Sequence, residues 1–203
     1  MKEYLLSSLI GYLLGSLSPS ALLSKLKKKN LRDQGTRNLG ATNTMLILGK
    51  GYGALVMLFD IAKAFAAVKL AQKLFPMLVW GGLIAGCSAV IGHIFPFYMK
   101  FKGGKGLAAY GGMILGLDPL LFLILLLIAI AAMLITNHAI AMTVSATILF
   151  PMFFAIRNGD LIAFLLVAAI SALILSRHTG SILEAIRGED TSVRAFIKGN
   201  KHQ

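Results

Sequence analysis

The fold class predicted here is an all-α, polytopic membrane protein with about seven transmembrane helices, the N-terminus outside and the C-terminus cytoplasmic. Three observations carry that expectation. Of the 203 residues, 57% are hydrophobic and only 14% are charged, with a mean hydropathy of +0.80; a soluble domain of this length carries about 25% charged residues. The apolar residues gather in runs long enough to cross a bilayer. The positive charges gather between those runs.

A crossing helix needs about 17–25 predominantly apolar residues. Runs of that order cover residues 4–24, 52–74, 77–97, 118–136, 139–156 and 160–176, with turn signals at Pro76, Pro119 and the cluster Arg157-Asn158-Gly159-Asp160. The first run is followed, rather than preceded, by positive charge (Lys25, Lys27, Lys28, Lys29), and Lys2 is offset by Glu3. That polarity reads as a retained helix instead of a cleavable signal. Fifteen of the twenty Lys and Arg residues lie in three stretches: 24–50, 98–106, and the tail holding Arg177, Arg187, Arg194, Lys198 and Lys201. Positive loops favour the cytoplasm, so all three belong on one side, and six crossings would put the tail opposite the other two. A seventh, short crossing at residues 107–117 restores the parity. It is rich in glycine (Gly111, Gly112, Gly116), which a membrane tolerates where the segment packs against protein. No repeat or low-complexity linker is visible, so residues 1–203 read as a single transmembrane domain.

Twenty basic against eight acidic residues leave a net charge of +12. In a soluble chain that excess would suggest nucleic acid as partner; between apolar runs it points to membrane lipid and anionic substrates, and not to nucleic acid. The lone Cys87 excludes an internal disulfide and any multi-cysteine metal site.

Two polar blocks interrupt this pattern. The first is Gly35-Thr36-Arg37-Asn38-Leu39-Gly40-Ala41-Thr42-Asn43. Its small residues let backbone N–H groups converge, and its hydroxyls and amides add hydrogen bonds, a combination suited to a phosphate-sized anion. A polar loop with glycine turns is the plainer alternative. The second joins Gly92-His93-Ile94-Phe95-Pro96 to Phe101-Lys102-Gly103-Gly104-Lys105-Gly106. Glycines beside lysines allow close approach of backbone to phosphate, with Lys105 as a point charge. It is no Walker A loop, since Met99 stands at the first glycine and Gly106 replaces the hydroxyl residue. Lysines at a helix end also snorkel to lipid head groups, which suits Lys100 better than Lys102 or Lys105.

His93, His138 and His178 fall near helix ends predicted to be cytoplasmic, and ionisable residues there are functional candidates. No metal site is expected: none stands four residues from another ligand, and no Cys or carboxylate accompanies them. Asp60 and Lys63, three apart, read as an intrahelical pair that lowers the cost of both charges. There is no G-x-S-x-G elbow, and none of these histidines is followed five residues later by Asp; Tyr98, Thr143 and Leu183 stand there.

Taken with Gly15-Ser16-Leu17-Ser18-Pro19, Leu31-Arg32, Leu48-Gly49-Lys50 and Asp60-Ile61-Ala62-Lys63, these blocks resemble the bacterial membrane glycerol-3-phosphate acyltransferases that use acyl phosphate as donor, the PlsY family. The resemblance implies acyl transfer from a fatty acyl phosphate to the 1-hydroxyl of sn-glycerol 3-phosphate at the cytoplasmic face of the cell membrane. It implies neither metal nor organic cofactor. Carried over residue by residue, it assigns catalysis to Lys105, His178, Asn43 and His93. Substrate binding falls to Thr36, Arg37, Asn38, Gly40, Ala41, Thr42, Lys102, Gly103, Gly104, Thr143 and Ser181. The chain departs from the family pattern where Gly-Ser-Gly-Asn becomes Gly35-Thr36-Arg37-Asn38, where Leu46 replaces an arginine, Ser181 an asparagine and Thr143 a serine. A transporter for small phosphate anions is the competing reading; it lacks the paired internal halves such proteins usually show. An impaired paralogue is a third.

Overall fold

The structure is a computed structural model that describes residues 1–190 and 192–194; Lys198 and Lys201 of the charged tail lie outside the described residues. Every regular element among those described is helical: α1 (Lys2–Ser16), α2 (Pro19–Leu26), α3 (Ala41–Leu48), α4 (Lys50–Leu74), α5 (Gly81–Ile94), α6 (Leu107–Leu117), α7 (Pro119–Thr136), α8 (Ile140–Asn158), α9 (Leu161–Arg177) and α10 (Thr179–Ile186), with a single 3-10 turn at Phe97–Met99. The chain divides into two compact units, Met1–Pro119 and Leu120–Gln203.

Helices occupy all seven predicted apolar segments, but the first is broken. Proline cannot continue a helix, because it lacks an N–H and its ring clashes with the preceding turn. Pro19 therefore opens a new helix, and the Ser18 side chain caps it by accepting from the Ala21 amide. Two short helices lie outside the predicted runs: α3 within the polar stretch after α2, and α10 beyond α9. Four stretches are long and apolar enough to cross a membrane: Lys2–Leu26, Gly81–Met99, Pro119–Thr136 and Ile140–Asn158. The pair α9 and α10, bent by 60° at their junction, makes a fifth. Helix α4 has 25 residues but bears Asp60 and Lys63 inside its length, and α6 has only 11 residues.

Helix α5 is the core of the first unit. Twelve of its fourteen residues are buried, because α1, α4 and α6 surround it. Contact with α1 is backbone to backbone. A Cβ on Gly11 or Gly15 would collide with the carbonyls of Ala85 or Ala89, and one on Gly92 with the carbonyl of Tyr12. Such small-residue seams let helices approach closely where the hydrophobic effect offers no drive between them. In the second unit α8 packs along α9, and α10 touches both. Helix α7 buries Leu121, Leu125 and Ala129 on one stripe, and exposes Leu120, Leu123, Ile124, Leu127, Leu134 and Ile135. A surface that apolar is at rest only against hydrocarbon.

Candidate active site

The first polar block folds around one side chain. Asn43, on the first turn of α3, is 1% exposed. Its Oδ1 accepts from the Thr36 amide at 2.8 Å and its Nδ2 donates to the Leu31 carbonyl at 2.6 Å. Both halves of the amide are thus spent on fixing the loop that precedes its own helix. Gly35 (φ +58°) must be glycine for the same reason, since a Cβ there would strike Asn43 Oδ1. Gly40 caps α3, and the Thr44 amide and hydroxyl both return to its carbonyl. Thr36, Arg37 and Thr42 stay exposed, with Asn38, Gly40 and Ala41 partly so. Arg37 sits in the left-handed region at φ +56°, a conformation that strains any residue with a Cβ.

The second block turns back onto the end of α5. The Gly103 amide donates to the Ile94 carbonyl at 2.9 Å and the Gly104 amide to the His93 carbonyl at 3.1 Å, which satisfies two carbonyls a helix C-terminus leaves open. The glycines are required by contact: a Cβ on Gly103 would meet the His93 carbonyl, and one on Gly104 would meet His93 Nε2 and, at 2.7 Å, the Leu39 carbonyl. Their amides therefore hold the loop rather than pointing outward. Lys105 follows, partly buried, and Gly106 (φ +99°) caps α6. Arg32 fastens the two blocks together, donating from Nη2 to the Lys102 carbonyl at 2.5 Å.

Beneath these loops lies a buried ion pair. Lys63 Nζ stands 2.7 Å from Asp60 Oδ1, the intrahelical contact the spacing predicts. It also donates to the Leu17 carbonyl at 2.6 Å, where α1 breaks from α2, and lies 3.0 Å from His93 Nδ1. The Tyr98 hydroxyl closes the neighbouring carbonyl of Ser16 at 2.7 Å. Side chains from α4 and the Phe97–Met99 turn thus cap the carbonyls that Pro19 sets free.

In the second unit, His178 ends α9. Its Nδ1 donates to the Ile174 carbonyl at 2.8 Å and it is 7% exposed. Thr143 is buried on α8, where its carbonyl accepts from the Thr147 hydroxyl, and Ser181 is half-buried on α10. His138, between α7 and α8, pairs with Asp190 at 2.8 Å. The expectation that no carboxylate accompanies the histidines is therefore overturned twice, by Asp190 and by Asp60, which lies 3.3 Å from His93 Nδ1. Both partners are remote in sequence. No group of three or more metal-ligating side chains occurs among the described residues.

Residues 5–188 match the family model described as glycerol-3-phosphate acyltransferase. The chain belongs to that family. Curated glycerol-3-phosphate acyltransferases resemble it along nearly their whole length: that of Macrococcus caseolyticus is 34% identical over 92% of this chain and 95% of its own. That of Aquifex aeolicus is 32% identical over 90% and 95%. Among solved structures, the glycerol 3-phosphate form of PlsY, an integral membrane glycerol 3-phosphate acyltransferase, superposes with a TM-score of 0.89 at 31% identity, covering 98% of this chain and 99% of that one. Its lysophosphatidic acid form gives 0.83 at 31% identity, over 93% and 94%. The resemblance read from the polar blocks is borne out.

For a member of this acyltransferase family the first unit assembles Asn43, His93, Gly103 and Gly104 tightly, through Leu31, Leu39 and the α5 carbonyls. Lys63, Arg32 and Tyr98 belong to that assembly and were absent from the predicted site. A lysine in the middle of an apolar run was the available signal for Lys63; reading it as an intrahelical pair accounted for one of its three partners.

Proposed function

We propose that this protein transfers the acyl group of a fatty acyl phosphate to the 1-hydroxyl of sn-glycerol 3-phosphate, giving lysophosphatidic acid and inorganic phosphate, the first step of phospholipid synthesis. The observation that carries this reading is the family match over residues 5–188. The solved relative PlsY is described in forms with glycerol 3-phosphate and with lysophosphatidic acid, the acceptor and the product of this reaction. Both substrates are phosphate anions, and the two polar blocks carry Arg37, Lys102 and Lys105 with no acidic residue among them.

Chemically the reaction asks little of a side-chain nucleophile. The glycerol oxygen bonds to the acyl carbon, the bond from that carbon to phosphate breaks, and a phosphate oxygen takes the hydroxyl proton. Phosphate is already a good leaving group from a mixed anhydride. Catalysis then rests on positioning and on neutralising charge. In this reading Lys105 offsets the phosphate charge, while Thr36, Arg37, Asn38, Gly40, Ala41 and Thr42 cradle phosphate where α3 begins. Asn43 and His93 shape that region, and Lys102, Gly103 and Gly104 border it. Thr143, His178 and Ser181 are assigned to the same chemistry by the family resemblance alone.

The membrane arrangement we propose has one acyltransferase domain and seven crossings: α1 with α2, α4, α5, α6, α7, α8 and α9. The N-terminus is outside the bacterial cell membrane, and the charged loops and the site face the cytoplasm. The distribution of Lys and Arg supports it. Single cysteines near Lys28, Lys102 and Lys201 in a Cys87→Ser background should be labelled from the cytoplasmic side only; labelling of the tail from outside would remove one crossing. The activity itself is tested with purified protein, acyl phosphate and labelled glycerol 3-phosphate. Labelled lysophosphatidate and one phosphate per product are expected, and their absence overturns the reading. An acyl-CoA arm isolates the donor: equal turnover with the thioester would overturn acyl phosphate as the substrate.

A further inference from the structure

The buried pair Asp60–Lys63 is an expensive feature. Two opposite charges inside an apolar protein recover little net energy over hydrophobic residues of the same size. Asp60, Lys63 and His93 are 2%, 5% and 8% exposed, so solvent does not explain them either. Lys63 has three N–H donors and no acceptor. Its three neighbours are Asp60 Oδ1 at 2.7 Å, the Leu17 carbonyl at 2.6 Å and His93 Nδ1 at 3.0 Å.

An ammonium can approach Nδ1 at that distance only if Nδ1 is a lone pair. Asp60 Oδ1 is the other candidate partner of Nδ1, but at 3.3 Å it lies beyond the range of about 2.7–3.2 Å for N–H···O bonds. The lone pair on Nδ1 leaves the imidazole proton on Nε2, because a neutral ring has one donor and one acceptor. Nε2 faces the glycine turn: it is the atom a Cβ on Gly104 would strike, next to the Leu39 carbonyl. The residue after that turn is Lys105.

We propose that Lys63 is a positioning residue for acyl transfer: it fixes His93 as the Nε2–H tautomer, so that His93 serves the site as a hydrogen-bond donor and not as a base. Asp60 balances the lysine's charge and holds it in place. The claim about function rests on the acyltransferase reading; the claim about the tautomer does not. It accounts for a buried lysine that meets the second polar block at His93, and for a histidine in a reaction whose proton has a phosphate oxygen to go to.

Two measurements test it. Nitrogen NMR of histidine-labelled protein reports protonation at each ring nitrogen, and with four histidines in the chain the His93 signals are assigned by their loss in His93→Gln. Wild-type protein should show Nδ1 unprotonated and Nε2 protonated at neutral pH. A protonated Nδ1 overturns the proposal. In Lys63→Met that preference should disappear, with a fall in kcat per folded molecule of about tenfold or more, the scale of a lost charge-assisted hydrogen bond. A folded Lys63→Met protein that keeps the tautomer overturns it as well. The second measurement needs no change at Lys63. Glutamine carries an N–H2 at the reach of Nε2, whereas asparagine reaches only as far as Nδ1. His93→Gln should therefore retain at least about tenfold more acyl transfer than His93→Asn; equal loss in the two means His93 is not a donor. If wild-type protein transfers no acyl group, the functional reading fails while the NMR result still decides the tautomer.

Discussion

In the first unit the imidazole of His93 meets a lysine thirty residues away in sequence, on a different helix; in the second unit that of His178 is held by the Ile174 carbonyl, one turn back on its own helix. The two anchors are chemically inverse. An ammonium offers only protons, so Nδ1 of His93 accepts and Nε2 carries the hydrogen. A carbonyl offers only lone pairs, so Nδ1 of His178 donates and a neutral ring presents Nε2 as acceptor. Their costs differ too. A backbone carbonyl near a helix end is available without further outlay, whereas a buried ammonium needs a carboxylate, a capped helix break and a glycine turn packed around it. The comparison teaches that a local anchor survives most side-chain changes, while a long-range one is only as sound as its whole surround.

The largest expected effect therefore falls on that surround. Gly104→Ala drives a Cβ into His93 Nε2 and the Leu39 carbonyl. Overpacking of this kind costs about 1–3 kcal/mol, which corresponds to roughly fivefold to 150-fold in rate if the site bears it. Assay of acyl transfer with a thermal melt checks this, and wild-type behaviour in both would mean that the turn is loose. Lys105→Met tests charge while leaving both histidines in the chain. It should lose acyl transfer by at least about tenfold, since a charge-assisted contact is worth roughly 1.5–3 kcal/mol; normal turnover by folded protein would reduce Lys105 to a lipid-facing lysine.

Smaller is the effect at Arg37, held at φ +56° where the family usually has glycine. Arg37→Gly should relieve the backbone, a gain of less than about 1 kcal/mol once the greater freedom of the unfolded glycine is counted, and yet lower acyl transfer several-fold as a phosphate-facing guanidinium is lost. Adding Leu46→Arg, which restores the family arginine on the exposed side of α3, should return much of that activity. An intact single mutant would show that Arg37 has no part in binding. The smallest effect on an imidazole is expected in the other unit. Ile174→Ala removes a fully buried side chain at about 2–5 kcal/mol of stability, but it leaves the carbonyl in place. His178 should keep its Nδ1–H signal in the folded protein, and loss of that signal would refute the idea that a backbone anchor is indifferent to its side chain.

Much of this was legible in the residues. Seven apolar runs correspond to helices because hydrophobic length is a property of contiguous sequence. The break at Ser18-Pro19 was visible as a residue pair and hidden by its setting, an apolar run that continues past it. Helix α3 was hidden by composition: Ala41-Thr42-Asn43-Thr44 reads as loop, and its helicity depends on the Gly40 cap and on packing against α4. The polar blocks announced themselves because glycine, lysine and asparagine are out of place between membrane helices. Their internal wiring did not. The bonds from Asn43 to Leu31, from Arg32 to Lys102 and from Lys63 to His93 span 12, 70 and 30 residues, and no periodicity connects positions so far apart.

The seam between α1 and α5 carries a further consequence, for the order in which the chain comes together as it is made. Ser8 and Ser88 share a hydrogen bond across 80 residues, and the glycine face of α1 fits only the backbone of α5. At translation speeds of about 5–20 residues per second, the first helix waits roughly 4–16 s for its partner. During that interval Ser8 and the glycine groove lack the α5 partner they have in the finished fold. Helix α1 is thus made well before it can take its place against α5. In chains arrested before residue 81, a cysteine at Ser8 should be far more open to lipid-soluble thiol reagents than in chains arrested after α5 has emerged.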